Sequence, residues 1–276
     1  RRYEDRIHWE TGPNRGACAA RNRGLRLARA PFIKFFDADD LLAPKSLNHQ
    51  YSLLLPHSKP TMVFSNFKNI TENETSDEHT SDTPKPNTEE ISDSILRALG
   101  APIVTGTALH QRRTLEEINA FDESLKHAQE FNLHLRLALN GVKFIESTSI
   151  GLLKRSNASP HQISSRFNAR NAPEALVQSA KEIDELLQQH FEHETPYRYL
   201  QARSAFWWRL GRSLSRNGTV DMANYCFQRS EALINKRQPI GQFPYRLAAR
   251  LMNPTQVELT LCRIKWTTGS LFRRSS

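Results

Sequence analysis

Three carboxylates crowd into four residues at Asp37-Ala38-Asp39-Asp40, directly after the largely apolar run Pro31-Phe32-Ile33-Lys34-Phe35-Phe36. A run rich in Phe and Ile reads as a buried strand. Packing does not account for its ending, because buried unpaired carboxylates are costly and like charges this close repel. A divalent cation at the mouth of a sheet relieves that repulsion, and strand ends are where ligand crevices form. A metal held there commonly grips phosphate as well, so the pattern points first to a nucleotide-dependent enzyme. The plainer reading of the same residues is an Asp-rich turn that caps the next helix.

The flanking elements follow from periodicity and breakers. Residues 14–30 combine an Asn14-Arg15-Gly16 turn with Ala19, Ala20, Leu25, Leu27 and Ala28, a helix with a small-residue surface for packing on a sheet. Pro31 ends it, a strand is expected over 32–36, and Pro44 opens a short helix reaching Leu54. Met62-Val63-Phe64 reads as a strand. Further along come a helix near 92–99, a strand near 103–109 and a helix over 114–119. A helix from Gln129 to Leu139 ends at Asn140-Gly141, followed by strands at 142–145 and 150–153. Alternating helices and strands predict an α/β layer architecture. From 171 to about 235 only the helical period remains. There Trp207, Leu210, Gly211, Leu214, Gly218, Ala223 and Phe227 fall at the offsets of one tetratricopeptide-like hairpin. One such unit does not make a free-standing array, so a hairpin docked on the α/β part is expected. Of Trp207 and Trp208, the helical spacing favours core burial for one.

The net charge of +9 is uneven. Residues 71–94 hold eight Asp/Glu against one Lys, a local charge of −7, with Ile91 their only large apolar side chain. Such a stretch is expected to be a mobile insertion. Residues 236–276 hold eight Lys/Arg against one Glu, a local +7, which could meet an anionic lipid or nucleic acid or simply stay solvated. Cys18, Cys226 and Cys262 are far apart and odd in number, which fits a reducing, cytoplasmic setting better than a disulfide framework. No window approaches the ~20 apolar residues needed to cross a bilayer. The chain opens on Arg1 in mid-pattern, and the expectation is of a segment whose beginning lies upstream.

The blocks Asn14-Arg-Gly-Ala-Cys-Ala-Ala-Arg-Asn-Arg-Gly24, Phe35-Phe36-Asp37-Ala38-Asp39-Asp40 with Pro44, Gly106-Thr-Ala-Leu, Phe121-Asp-Glu and Gln129-Glu-Phe-Asn-Leu-His-Leu-Arg136 occur in order. Together they resemble the inverting nucleotide-sugar glycosyltransferases of family 2. The resemblance covers about residues 1–165. It implies an α/β fold of the GT-A kind, Rossmann-like, with a mixed sheet and flanking helices. This would be incomplete here, because the family's first strand, first helix and second strand fall before Arg1. An all-α extension over 171–235 and a basic tail over 236–276 would follow. Haloacid-dehalogenase phosphatases also end a strand in Asp-x-Asp, but a small hydroxyl residue usually stands where this chain has Leu41.

The resemblance implies Asp37 and Asp39 as the Asp-x-Asp pair. Asp39 would hold Mg²⁺ or Mn²⁺, and Asp37 the ribose or a metal-bound water. Arg21, Asn22 and Asp40 are expected on the donor side. Glu130 aligns with the general base, often Asp in relatives, and a helix amino terminus favours its anionic form. His134, one turn on, could pair with Glu130 or meet the acceptor, as could Arg136. Asn157 stands where many relatives have a histidine on the metal or diphosphate, with His161 four positions late. The implied activity is hexosyl-type transfer from a nucleoside-diphosphate sugar to a glycan or lipid-linked hydroxyl, as in envelope polysaccharide synthesis. Peripheral contact with an anionic membrane at its inner face fits the basic end, and no nucleic-acid partner is expected. The competing reading is a non-catalytic interaction module built from a degenerate transferase fragment and the helical hairpin.

Overall fold

The computed structural model describes residues 7–71, 88–155, 168–192 and 194–261. Asn157 and His161 lie outside them, as do Cys262 and most of the acidic stretch. Two long parallel strands form the centre of the sheet, β3 (Thr61–Ile70) and β6 (Lys143–Arg155). Met62, Val63 and Phe64 are buried on both faces of β3, which is why they read as an uninterrupted apolar run. The pair bulges between Ser65 and Phe67. Gly151 permits the close approach there, since a Cβ on it would fall 1.9 Å from Ser65 Oγ. The bulge lets one strand span 143–155 where the sequence suggested two.

Around this pair the sheet runs β1 (Phe32–Ile33), β5 (Ala108–Gln111), β3, β6, β2 (Leu41–Leu42), with β4 (Thr88–Glu90) also paired to β6. β5 pairs antiparallel with both β1 and β3, and β3–β6 is parallel, so the sheet is mixed. β1 pairs over two residues rather than the five expected. Residues 105–107, expected in a strand, form a 3₁₀ turn in which Thr107 Oγ1 donates back to Val104 O at 2.7 Å. The end of the acidic stretch also departs from expectation. Residues 88–90 gain ladder bonds from β6, and Asp93 caps α3 (Ser94–Leu99) by accepting from Leu96 N at 3.0 Å. Backbone pairing and a cap supply there what side-chain burial does not.

Helix α1 (Ala17–Leu27) turns Cys18, Asn22 and Leu25 inward, and Gly16 before it takes φ 93°. α2 (Ser46–Leu54) and α4 (Arg112–Glu117) flank the sheet. α5 (Gln129–Leu139) is buried on nearly every side, with Phe131, Leu133, Leu135 and Leu137 in the main core beside Phe121 and Phe144. Gly141, at φ 81°, lets the chain turn into β6.

The remaining helices are α6 (Pro173–Phe191), α7 (Tyr197–Arg216), α8 (Val220–Ile234) and α9 (Phe243–Leu251), and residues 254–261 are also helical. Ile183, Leu187 and Tyr199 complete the main core, whereas Val177, Ala180, Trp207, Trp208, Phe227 and Tyr245 belong to a second one. Both tryptophans are fully buried, one more than expected. α7 and α8 cross closely at Gly211, where a Cβ would sit 3.0 Å from the Phe227 ring and 3.2 Å from Ala223 O.

Candidate active site

α1 and the exit of β1 lie side by side, and Arg21 reaches from the helix to the acidic turn. Its Nη2 donates to Asp37 Oδ1 at 3.0 Å. Its Nη1 donates to Gln129 Oε1 at 3.2 Å and stands 3.9 Å from Glu130 Oε1. The guanidinium lies 5.3 Å from the Phe121 ring centroid, which fixes its plane. One cation therefore joins the strand-end acids to the first turn of α5.

Glu130 has a second partner, since Thr105 Oγ1 donates to the same Oε1 at 2.8 Å. Ala128, in the left-handed conformation at φ 54°, starts α5 so that Gln129 and Glu130 project from its first turn. Oε1 is held from two sides. Among the described residues no bond is made to Oε2, and the Glu130 side chain remains about one-third exposed. A carboxylate so placed can take a proton from a hydroxyl brought to it. The sequence did not single out Thr105 or Gln129. Their only signal was adjacency, Thr105 immediately before the Gly106 block and Gln129 immediately before Glu130.

The acidic turn divides its three carboxylates. Asp40 N donates to Asp37 O at 3.3 Å, closing a tight turn over Ala38 and Asp39. Asp37 is half-exposed beside Arg21, and Asp39 is exposed without a polar partner among the described residues. Asp40 points inward and accepts from Arg155 N at 3.2 Å. Burial raises its carboxyl pKa, and the neighbouring Asp39 and Asp37 push in the same direction. Asp40 thus fastens the turn to the end of β6 instead of facing a donor.

Three more expected contacts are absent from the cleft. Asn22 is buried, its Nδ2 donating to Phe121 O at 2.8 Å and its Oδ1 accepting from Phe121 N at 3.0 Å. Its Nδ2 also donates to Glu123 Oε1 at 3.1 Å, so both N–H groups are spent on pinning α1 to the loop before α5. Arg136 donates to Asn132 Oδ1 at 2.8 Å and to the carbonyls of Ile118 and Ala120, satisfying the end of α4. His134 is 2% exposed and stacks on His110 with ring centroids 5.7 Å apart, so it neither pairs with Glu130 nor meets an acceptor. Burial lowers its pKa to about 3 and keeps it neutral. Cys18, one turn before Arg21, is also buried, and its thiol is pushed up to about 11, so it is no nucleophile.

A cavity of about 740 Å³ runs along α1 past Gly24, Leu25, Lys34 and Phe36 to Asp37. No group of three or more His, Cys, Asp or Glu side chains converges on one point among the described residues. Asp37 and Asp39 still fit a hard cation of the Mg²⁺ type, which needs only one or two protein carboxylates when water and phosphate oxygens complete its shell.

Residues 1–118 match the model of the family described as glycosyl transferase family 2. The matched segment ends after α4, so Glu130 lies beyond it. An uncharacterized glycosyltransferase of Rickettsia felis is 23% identical over 226 residues, covering 80% of this chain and 36% of that protein. One of Rickettsia bellii is 24% identical over 136 residues, covering 49% of this chain and 20% of that protein. The chain thus spans about a third or less of the curated relatives it matches. Its fold is that of the GT-A transferases. The crystal structure of S. aureus TarS 1-349 superposes with a TM-score of 0.51 at 17% identity, covering 97% of this chain and 77% of that one. Among the described residues no helix is long and apolar enough to cross a membrane.

Proposed function

We propose that the protein transfers a sugar from a nucleoside-diphosphate sugar to a hydroxyl acceptor with inversion. The observation that carries the reading is Arg21, which joins the acidic turn after β1 to Glu130 on α5. The family 2 match over residues 1–118 and the GT-A fold support it. Glu130 takes the acceptor hydroxyl proton, the acceptor oxygen bonds to the anomeric carbon, and the bond from that carbon to the diphosphate breaks. The nucleoside diphosphate leaves with the electron pair. Thr105 and Arg21 orient Glu130 by holding one of its oxygens. Asp39, with Asp37, would hold Mg²⁺ or Mn²⁺, which when bound offsets the charge of the departing diphosphate. The acceptor class we favour is a glycan or lipid-linked glycan, and the α7–α8 hairpin would be a tetratricopeptide-like unit.

Thermal unfolding of the full chain against a panel of nucleoside-diphosphate sugars with Mn²⁺ tests this. Stabilisation that requires the cation and disappears in Asp39→Ala is expected. A flat response to every donor would favour a non-catalytic interaction module, for which the close crossing of α7 and α8 at Gly211 is the structural argument.

A further inference from the structure

One face of α9 is unaccounted for by the core. The helix buries Tyr245 and Ala249 against the second core. On the outward side Leu247 is 52% exposed, Leu251 82% and Met252 55%. Leu247 and Leu251 stand four residues apart and so form one strip, and the exposed Arg246 and Arg250 border it at the same spacing. Isolated exposed leucines are ordinary. What distinguishes this strip is its electrostatic setting. Residues 236–257 contain no Asp or Glu. The first acid after them, Glu258, is buried and already engaged by Arg212 at 2.9 Å and by Arg216. Among the described residues Arg246 and Arg250 make no ion pair.

Large apolar side chains bordered by arginines on the exposed side of one helix suit a helix lying in the plane of an anionic bilayer. The leucines enter the acyl boundary while the arginines reach outward to phosphates. Nucleic acid would satisfy the charge but leave the leucines in water. A second copy meeting this face symmetrically would set Arg246 and Arg250 against their own equivalents. We propose that α9 is an interfacial helix that seats the protein on an anionic membrane through Leu247, Leu251 and Met252, with Arg246 and Arg250 on lipid phosphates. The proposal rests on the exposure and charge of α9 and is independent of the transferase reading, so either can fail alone.

Co-sedimentation of the full chain with phosphatidylcholine vesicles, with and without phosphatidylglycerol, tests it. Binding is expected only to the anionic vesicles and weakens as salt rises. The Leu247→Glu/Leu251→Glu variant should partition about tenfold less or worse, because the apolar insertion is lost. Both sites are exposed, so its circular dichroism and unfolding should match the parent. Arg246→Gln/Arg250→Gln should weaken binding to anionic vesicles alone. Excess glycerol phosphate should not release the protein, since a lone headgroup offers no apolar layer. Three results would overturn the proposal: no binding to anionic vesicles, binding unchanged in both double variants, or release by glycerol phosphate. Self-association in solution that Leu251→Glu abolishes would also overturn it, by assigning the face to a second copy.

Discussion

At the scale of single residues, Glu130 is defined by the asymmetry of its two oxygens. Thr105 and Arg21 both address Oε1, which leaves the other oxygen to receive a proton. Replacement by Gln keeps the shape and removes the basicity, so Glu130→Gln should lower kcat by about 10²–10⁴-fold with KM little changed. Thr105→Val should lower kcat less, and Thr105→Ser should restore it, because only the hydroxyl is required. Steady-state kinetics on a donor found by the thermal panel checks both. A Glu130→Gln variant with full rate would place the base elsewhere. The acidic turn stood out in the sequence by the types and spacing of its residues, whereas Glu130 was named only through the family resemblance. The work of Asn22 and Arg136 was not legible there, since an amide or guanidinium spent on distant carbonyls has the same sequence appearance as one facing a ligand.

At the scale of elements, β5 and α5 meet through His110 and His134, both buried and stacked. Burial depresses both folded pKa values, that of His134 to about 3, whereas an unfolded histidine titrates near ~6.5. Across that interval the unfolded chain binds more protons than the folded one. Stability is therefore fully present above about pH 6.5 and falls as pH drops towards 3. His134→Leu should flatten the acid limb of the midpoint–pH curve, because it removes one of the two groups together with two buried ring nitrogens that lack a hydrogen-bond partner among the described residues. Thermal melts over that range decide it, and an unchanged slope would refute the assignment. Gly211→Val on α7 should cost about 1–3 kcal/mol in urea unfolding, since Phe227 and the Ala223 carbonyl leave no room. Breakers and periodicity made α2 and α5 legible, with α5 ending at Asn140-Gly141 as read. The short β1 and the continuous β6 were hidden, because pairing extent depends on a partner strand far away in sequence.

At the scale of the whole molecule, the two cores are joined by α6. Its Val177 and Ala180 face the second core, and its Ile183 and Leu187 face the first. The sequence revealed a change of period at 171 and suggested a division there, but periodicity does not say which neighbour an amphipathic helix serves. Asp184 on the same helix binds Arg203, which is 1% exposed, at 2.6 Å and accepts from Trp207 Nε1 at 2.8 Å. Asp184→Ala would strand a buried cation and should cost about 3–5 kcal/mol in urea unfolding. Because α6 serves both cores, intrinsic fluorescence and circular dichroism should report one shared unfolding transition. Two separated transitions would show that the cores melt independently.

The double allegiance of α6 has a practical corollary for anyone trimming the gene. Ending the polypeptide near 165 would strip Ile183, Leu187 and Tyr199 from Phe131 and its neighbours, baring a greasy scar beside Glu130. Such a shortened product is expected to clump during expression, and its silence in an assay would report bad carpentry, not absent chemistry.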